Sequence, residues 1–258
     1  MLTGGMPSAV LSWVNGRDMN RVEQRQQEIL LSYERDISKY VGGSLMAKVW
    51  NVWQTIPGQL ARENKKYVYA SIREGARAKD YEDAIAWISG TGTIRIISRV
   101  EKASIPLSAY VDAQVFKIYY GDVGLLRQKV ELDKSNFLNE NHFFTEFKGT
   151  LAENYVLQEL ASQYRSIFYW SSGSQAEVDF VVQHGTIILP IEVKSGVNVQ
   201  AKNLRVMMER YGLKQGVRFS LRKMDARGDL LNLPIFMAGQ LKRLITLQMP
   251  DPPVQVNK

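Results

Sequence analysis

Apolar positions recur at helical spacing near the start of the chain. Val22, Ile29, Leu30, Tyr33 and Ile37 predict a helix, with Asn20 placed to cap it and Gly42-Gly43 to break it. A second helix is predicted over 44–53, and Pro57-Gly58 reads as a turn after it. Residues 79–89 put Tyr81, Ala84, Ile85 and Ile88 on one helical face, and Gly90-Thr91-Gly92 ends that run. The period then shortens to that of strands at 93–100 and 115–120, with a short helix expected after Gly121. From residue 129 the order is mixed: a helix at 150–163, strands at 166–170, 177–182 and 186–194, a helix at 200–211, then strands at 217–221 and 231–236.

The expected fold class is α/β (α+β): an N-terminal helical and winged-helix region, then an α/β domain around a central mixed sheet. Four segments are expected: a helical segment at 1–42, a winged-helix-like domain at 43–128, an α/β domain at 129–248 and a frayed tail at 249–258 that carries three prolines. Helices followed by an alternating hairpin give the winged-helix outline, in which one helix enters a major groove and the wing touches backbone.

Composition narrows the chemistry. The 258 residues include no cysteine and two histidines, His142 and His184, so any metal must be held mainly by oxygen. No apolar run reaches the roughly 18 residues of a membrane span, and Met1 to Val14 shows no secretory signal, so the expected setting is the cytoplasm without membrane attachment. Lys plus Arg exceeds Asp plus Glu by 33 to 26, a net charge of +7 that favours polyanionic partners. The excess is local. Residues 200–228 carry Lys202, Arg205, Arg210, Lys214, Arg218, Arg222, Lys223 and Arg227 against Glu209 and Asp225, whereas 129–199 are acidic. Such a basic segment is either a solvated helix face or a phosphate-attracting surface.

The chemistry-bearing stretch is Glu177-Val178-Asp179-Phe180-Val181-Val182 followed by Ile191-Glu192-Val193-Lys194-Ser195-Gly196. Strand alternation puts Glu177 with Asp179 and Glu192 with Lys194. Charges in apolar strands cost several kcal/mol, of order, unless paired or metal-bound. Phosphodiester hydrolysis accounts for them: Asp179 and Glu192 supply oxygens to Mg²⁺ or Mn²⁺, the Val193 carbonyl completes the shell, and Lys194 orients and helps deprotonate water. Glu153 on the preceding helix joins the expected catalytic and metal set. The competing reading is an edge hairpin with an ordinary surface Lys-Glu pair.

These residues resemble the signature of the PD-(D/E)XK nuclease-like superfamily at Asp179, Glu192 and Lys194, a resemblance that implies a restriction-endonuclease-like fold for the α/β domain. More broadly, the chain resembles the C-terminal two-thirds of a prokaryotic AAA+ ATPase family carrying the domain of unknown function numbered 4143. The matching runs are Leu2-Thr3-Gly4-Gly5-Met6-Pro7, residues 33–40, Phe116 through Leu126, Gly149-Thr150-Leu151-Ala152-Glu153-Asn154, and the two strands above. The resemblance implies a helical segment following an ATPase core and an ATPase domain as partner. No ATP site is expected within this chain: Gly43-Ser44-Leu45-Met46-Ala47-Lys48 lacks the second glycine and the hydroxyl of a phosphate-binding loop.

The expected function is a Mg²⁺-dependent nuclease-like, DNA-binding portion of such a protein. The alternative is a catalytically inert module that binds DNA or a partner and regulates the ATPase. Lys202 and Arg205, Arg77 and Lys79 before the presumed recognition helix, and Arg95 and Arg99 on the wing are the expected phosphate contacts. Trp50, Trp53, Trp87 and Trp170 are read as core rather than as base-stacking platforms. His184, beside Gly185, is given no role.

Overall fold

A computed structural model of the chain describes residues 1–138, 145–173, 176–196, 200–226 and 228–248. His142 and the tail at 249–258 lie outside the described residues. The chain forms two compact units, one of Met1–Ile97 with Gln114–Gln158 and one of Ser98–Ala113 with Glu159–Lys258. The class is mixed α/β, with helices leading and a seven-stranded mixed sheet in the order β2-β1-β3-β4-β5-β6-β7.

The first unit is mainly helical. It holds α1 (Pro7–Gly16), α2 (Met19–Tyr40), α3 (Gly43–Leu60), α4 (Ala78–Gly90), α5 (Val123–Lys129), α6 (Ser135–Leu138) and most of α7 (Thr145–Ala161). Strands β1 (Ile94–Val100) and β2 (Val111–Tyr120) are divided between the units at Ile97 and Ala113. The helical periodicity is borne out: Val22, Leu30, Ile37, Tyr81, Ala84, Ile85 and Ile88 are buried. The α2 cap is Asp18 rather than Asn20. Its carboxylate accepts the Asn20 N–H at 2.9 Å, so the helix starts two residues earlier than the asparagine suggested.

Pro57 does not end α3, which continues to Leu60. Proline removes one donor, but the carbonyl of Pro57 still accepts from Ala61, and the Leu60 carbonyl accepts the Thr150 hydroxyl at 2.8 Å. Satisfying the last carbonyls this way offsets the lost bond. Trp53, fully buried, donates its indole N–H to Glu34 and packs on Tyr120 at a ring separation of 5.0 Å.

The N-terminal segment is locked into this unit by polar contacts rather than by apolar area. Gln26, fully buried on α2, donates to the carbonyls of Leu2 and Thr3 at 2.9 Å and accepts from Arg127 at 2.8 Å. Asp122 caps α5 by accepting the Leu125 N–H at 2.9 Å, and its other oxygen accepts the Gly5 N–H. Arg127, itself buried, is neutralised by Glu23 at 3.0 Å. The runs Leu2–Gly5 and Gly121–Gly124 are thus two halves of one joint.

The second unit holds β3 (Phe168–Ser171), β4 (Glu177–His184), β5 (Ile187–Val193), α8 (Lys202–Tyr211), β6 (Gly216–Ser220), β7 (Leu230–Pro234), a 3₁₀ turn at Ile235–Gln240 and α9 (Leu241–Gln248). β3, β4 and β5 run antiparallel in sequence, while β1 pairs with β3, and β5, β6 and β7 with one another, in parallel. Leu204, Met207 and Met208 of α8 pack on Val178, Val181 and Ile188. Phe180, Val182, Leu189, Val217, Phe219 and Leu233 are also fully buried, which is why these strands read as nearly continuous apolar runs. The helix α9 and the 3₁₀ turn were not anticipated. Their apolar positions Ile235, Ala238, Leu241 and Ile245 do face the core at mixed 3₁₀ and α spacing, which blurs the period.

His184 is half-buried between Tyr164, 3.4 Å from Nδ1, and Thr246, 3.3 Å from Nε2. Burial pushes the Tyr164 hydroxyl up to about 12. These contacts tie β4 to α9.

The joint in the first unit predicts a sharp contrast between two glycines. A Cβ at Gly124 would lie 2.4 Å from Gln26 Nε2 and 2.9 Å from the Gly4 amide nitrogen, whereas one at Gly90 meets nothing within 4 Å. Gly124→Ala should therefore cost about 1–3 kcal/mol in urea unfolding, and Gly90→Ala should stay within about 0.5 kcal/mol of wild type. Equal effects would mean the N-terminal segment yields without cost.

Candidate active site in the sheet unit

The register of the sheet builds the site. Glu192 on β5 pairs with Arg218 on β6, and Arg218 pairs with Asn232 on β7. Partners across a ladder share a face, so these three side chains form a row. Gly216, two residues before Arg218, lies under α8, where a Cβ would be 2.7 Å from Met208 Sδ and 3.1 Å from Leu204 Cδ2. The row therefore sits on the face that α8 covers, past the end of its apolar contact.

Asp179 reaches the same place by an irregularity. Phe168 pairs with Val181 but Trp170 pairs with Val178, so Asp179 and Phe180 stand opposite the single residue Tyr169. This bulge lets Val178 and Val181 both join the α8 cluster, which strict alternation forbids. It also suspends the simple pairing of Glu177 with Asp179. The Asp179 carboxylate accepts the Val193 N–H at 2.8 Å, which brings it against the backbone between Glu192 and Lys194.

Glu192 is 3 % exposed. One carboxylate oxygen accepts from Lys194 Nζ at 2.6 Å, and the other, Oε2, is buried with no hydrogen-bond partner. A desolvated carboxylate oxygen without a donor costs about 1–3 kcal/mol or more, and native proteins seldom leave one so. Lys194 keeps roughly a third of its side chain in solvent and is fixed at its own amide, which donates to the Phe219 carbonyl at 2.8 Å.

Asn232 was not singled out by sequence reasoning, and it organises the basic end of the row. Buried at 3 % exposure, its Oδ1 accepts from Arg218 Nε at 2.9 Å and from the Ser220 hydroxyl at 2.9 Å, while Nδ2 donates to the Lys223 carbonyl at 2.8 Å. Its backbone exchanges two hydrogen bonds with Asp225. The loop bearing Arg222 and Lys223 is held over β7 in this way. Burial lowers the Arg218 pKa from its ordinary value, with Arg222 and Arg205 adding to the effect while Glu192 and Asp225 oppose it. The available signal was an amide inside Leu230-Leu231-Asn232-Leu233, a polar residue that an apolar strand must satisfy internally.

The structure thus brings together Asp179, Glu192, Val193 and Lys194. Lys202 and Arg205 are exposed at the start of α8. Glu153 belongs to the first unit, where Lys65 forms an ion pair with it and Tyr119 donates to it at 3.1 Å. Its neighbour Asn154 bonds both the amide and the carbonyl of Tyr120. Arg77, Lys79 and Arg95 are exposed in the first unit, and Arg99 is paired with Asp112 at 2.6 Å. Among the described residues, no group of three or more His, Asp or Glu side chains is arranged around a common point fit for a metal ion. No described helix is long and apolar enough to cross a membrane.

Residues 1–136, more than half of the chain, match the domain of unknown function DUF8612. The chain belongs to the DUF8612 family. In this DUF8612 protein, residues 148–236 also match the domain of unknown function DUF4143, so the resemblance carried by 149–154, 177–180 and 191–196 is found. That match spans Asp179, Glu192, Lys194, Arg218 and Asn232. No curated protein and no solved structure matches the chain.

Replacing Asn232 by Ala strands the Ser220 hydroxyl, the Arg218 Nε–H and the Lys223 carbonyl at once. With about 1 kcal/mol for each bond, the variant should lose about 2–4 kcal/mol in urea unfolding, and a loss below about 0.5 kcal/mol would deny Asn232 this organising role.

Proposed function

We propose that the sheet unit carries a divalent-cation-assisted phosphodiester hydrolase site that acts on DNA. The observation that carries the reading is the buried, unpartnered Oε2 of Glu192 beside Asp179. An electron-rich oxygen without a donor fits a hard cation, and an oxygen-only donor set suits Mg²⁺ or Mn²⁺. Asp179, Glu192 and the Val193 carbonyl would hold the ion, which when bound would polarise a phosphoryl oxygen and lower the pKa of water. Both carboxylates come from paired strands, so little reorganisation is needed to present them together.

The protein's own groups have separable tasks. Asp179 is oriented by the Val193 N–H, which holds its carboxylate against the backbone between Glu192 and Lys194. Lys194 neutralises Glu192 and, being partly exposed, can hold an attacking water or a phosphate oxygen. In this reading the partner is the ATPase domain that the sequence resemblance implies, which would deliver DNA to the site.

Supercoiled plasmid incubated with Mg²⁺ or Mn²⁺ should be nicked by wild type. Asp179→Ala, Glu192→Ala and Lys194→Ala should each lose about 10²-fold or more while keeping the far-ultraviolet circular dichroism of wild type. Equal nicking by all four proteins, or none with either metal, would overturn the reading. In the latter case, chelator-resistant and salt-sensitive DNA binding would favour the inert module.

A further inference from the structure

We infer that a small cavity among α2, α3 and α4 is a binding site for a guanidinium group, the head of an arginine side chain presented by a partner protein. Tyr33 and Asp36 of α2, Trp53 of α3, Trp87 of α4, and Thr91 and Thr93 after it line a space of about 150 Å³. All of these residues belong to the first unit, so the site is independent of the chemistry proposed for the sheet. Pockets for drug-sized ligands run to roughly 300–1,000 Å³. This one takes a single side chain.

Its walls are aromatic. Tyr33 and Trp53 stand nearly perpendicular, with ring planes at 81° and centroids 6.5 Å apart, and the half-buried Trp87 adds a third ring. Ring faces carry partial negative charge and attract cations, indole most strongly. Trp53 already has one such neighbour in Lys129 Nζ, 5.5 Å from its ring centre, but Glu34 neutralises that ammonium at 2.7 Å. The carboxylate of the cavity itself has no such answer. Among the described residues no cation pairs with Asp36, and Lys39, the basic residue one turn further along α2, lies over the Tyr40 ring at 4.8 Å instead.

The hydroxyls add acceptors. Thr91 donates to the Ile88 carbonyl at 2.6 Å, so in the 2.9 Å contact between the two threonines the Thr93 hydroxyl is the donor. Both hydrogens are thereby used within the turn, and what Thr93 Oγ and the Asp36 carboxylate offer a ligand is lone pairs. A guanidinium carries five N–H donors and no acceptor. It is also planar and weakly hydrated, so it can lie against a ring while its edge meets a carboxylate, which a compact ammonium cannot do. A phosphate-bearing ligand would be repelled by Asp36.

Exposed Asp36 and Thr91 put the mouth of the cavity at the surface, where a side chain from another molecule can enter. The space admits an arginine side chain without its main chain. The bearer's backbone therefore stays outside, as it does for a residue on a protein surface.

Titration of the ¹⁵N-labelled full chain with acetyl-glycyl-arginyl-glycinamide at fixed ionic strength tests the site by nuclear magnetic resonance. The Trp87 indole N–H, one of five in the chain and assigned from a Trp87→Leu variant, should move saturably together with the Thr91 and Thr93 amides. The same peptide with citrulline, a neutral isostere, should leave them in place, and the lysine peptide should bind more weakly. Asp36→Asn, at an exposed position, should fold as wild type does and weaken binding about two- to five-fold, as should Trp87→Leu read from the threonine amides. Glu28→Gln, an exposed acid on the same helix already bonded to Arg25, should bind as wild type does. No movement at tens of millimolar peptide, equal shifts with citrulline, or wild-type affinity in Asp36→Asn would overturn the site. Lysine binding as tight as arginine would overturn the guanidinium assignment. Methylguanidinium binding as tightly as the peptide would overturn the partner side chain, because the cavity would then belong to a free ion.

Discussion

A carboxylate shut away from water in the middle of a sheet governs the second unit. Glu192 stands in register with Arg218 on β6 and is bonded to Lys194, while its buried chain neighbours Ile191 and Val193 face the other side of the sheet. Removing it from solvent costs several kcal/mol, of order, and one contact with Lys194 meets only half of what its two oxygens require. An apolar residue would pack there without that penalty. Retaining the charge, with a free oxygen and a second carboxylate close by, makes sense when a cation shares the site.

The first unit is organised differently. Several of its buried or partly buried charges are paired within the unit: Arg127 with Glu23 and Gln26, Glu153 with Lys65 and Tyr119, Lys129 with Glu34, although Arg127 Nε, like Glu192 Oε2, is buried without a partner. Pairing of this kind fixes geometry. It also accounts for motif-like runs such as Gly121–Gly124 and Gly149–Asn154, whose residues serve architecture. Gly124 permits the approach of Gly4, Asp122 caps α5 and holds Gly5, and Asn154 clasps Tyr120.

Much of this was legible in the chain. Helical spacing located α2 and α4, and the mixed order of periods predicted an α/β fold with a mixed sheet. The charges at Asp179, Glu192 and Lys194 stood out because apolar strands otherwise exclude them. Other features were hidden for physical reasons. Pro57 reads as a break, yet α3 runs on to Leu60, whose carbonyl accepts the Thr150 hydroxyl from far along the chain. The bulge at Asp179 depends on pairing with β3, which local alternation does not encode. Glu153 looked like a third site carboxylate by its place in a helix, yet its partners Lys65 and Tyr119 are remote in sequence. Asn232 was one amide among many until the strands on either side of it were known.

The most direct test is anomalous diffraction from crystals soaked in Mn²⁺. The account predicts a peak about 2.1 Å from Glu192 Oε2 and within ligand distance of Asp179, absent from Glu192→Gln crystals soaked in the same way. A well-ordered Glu192–Lys194 pair with no manganese beside it, at concentrations that populate other carboxylates on the surface, would contradict it.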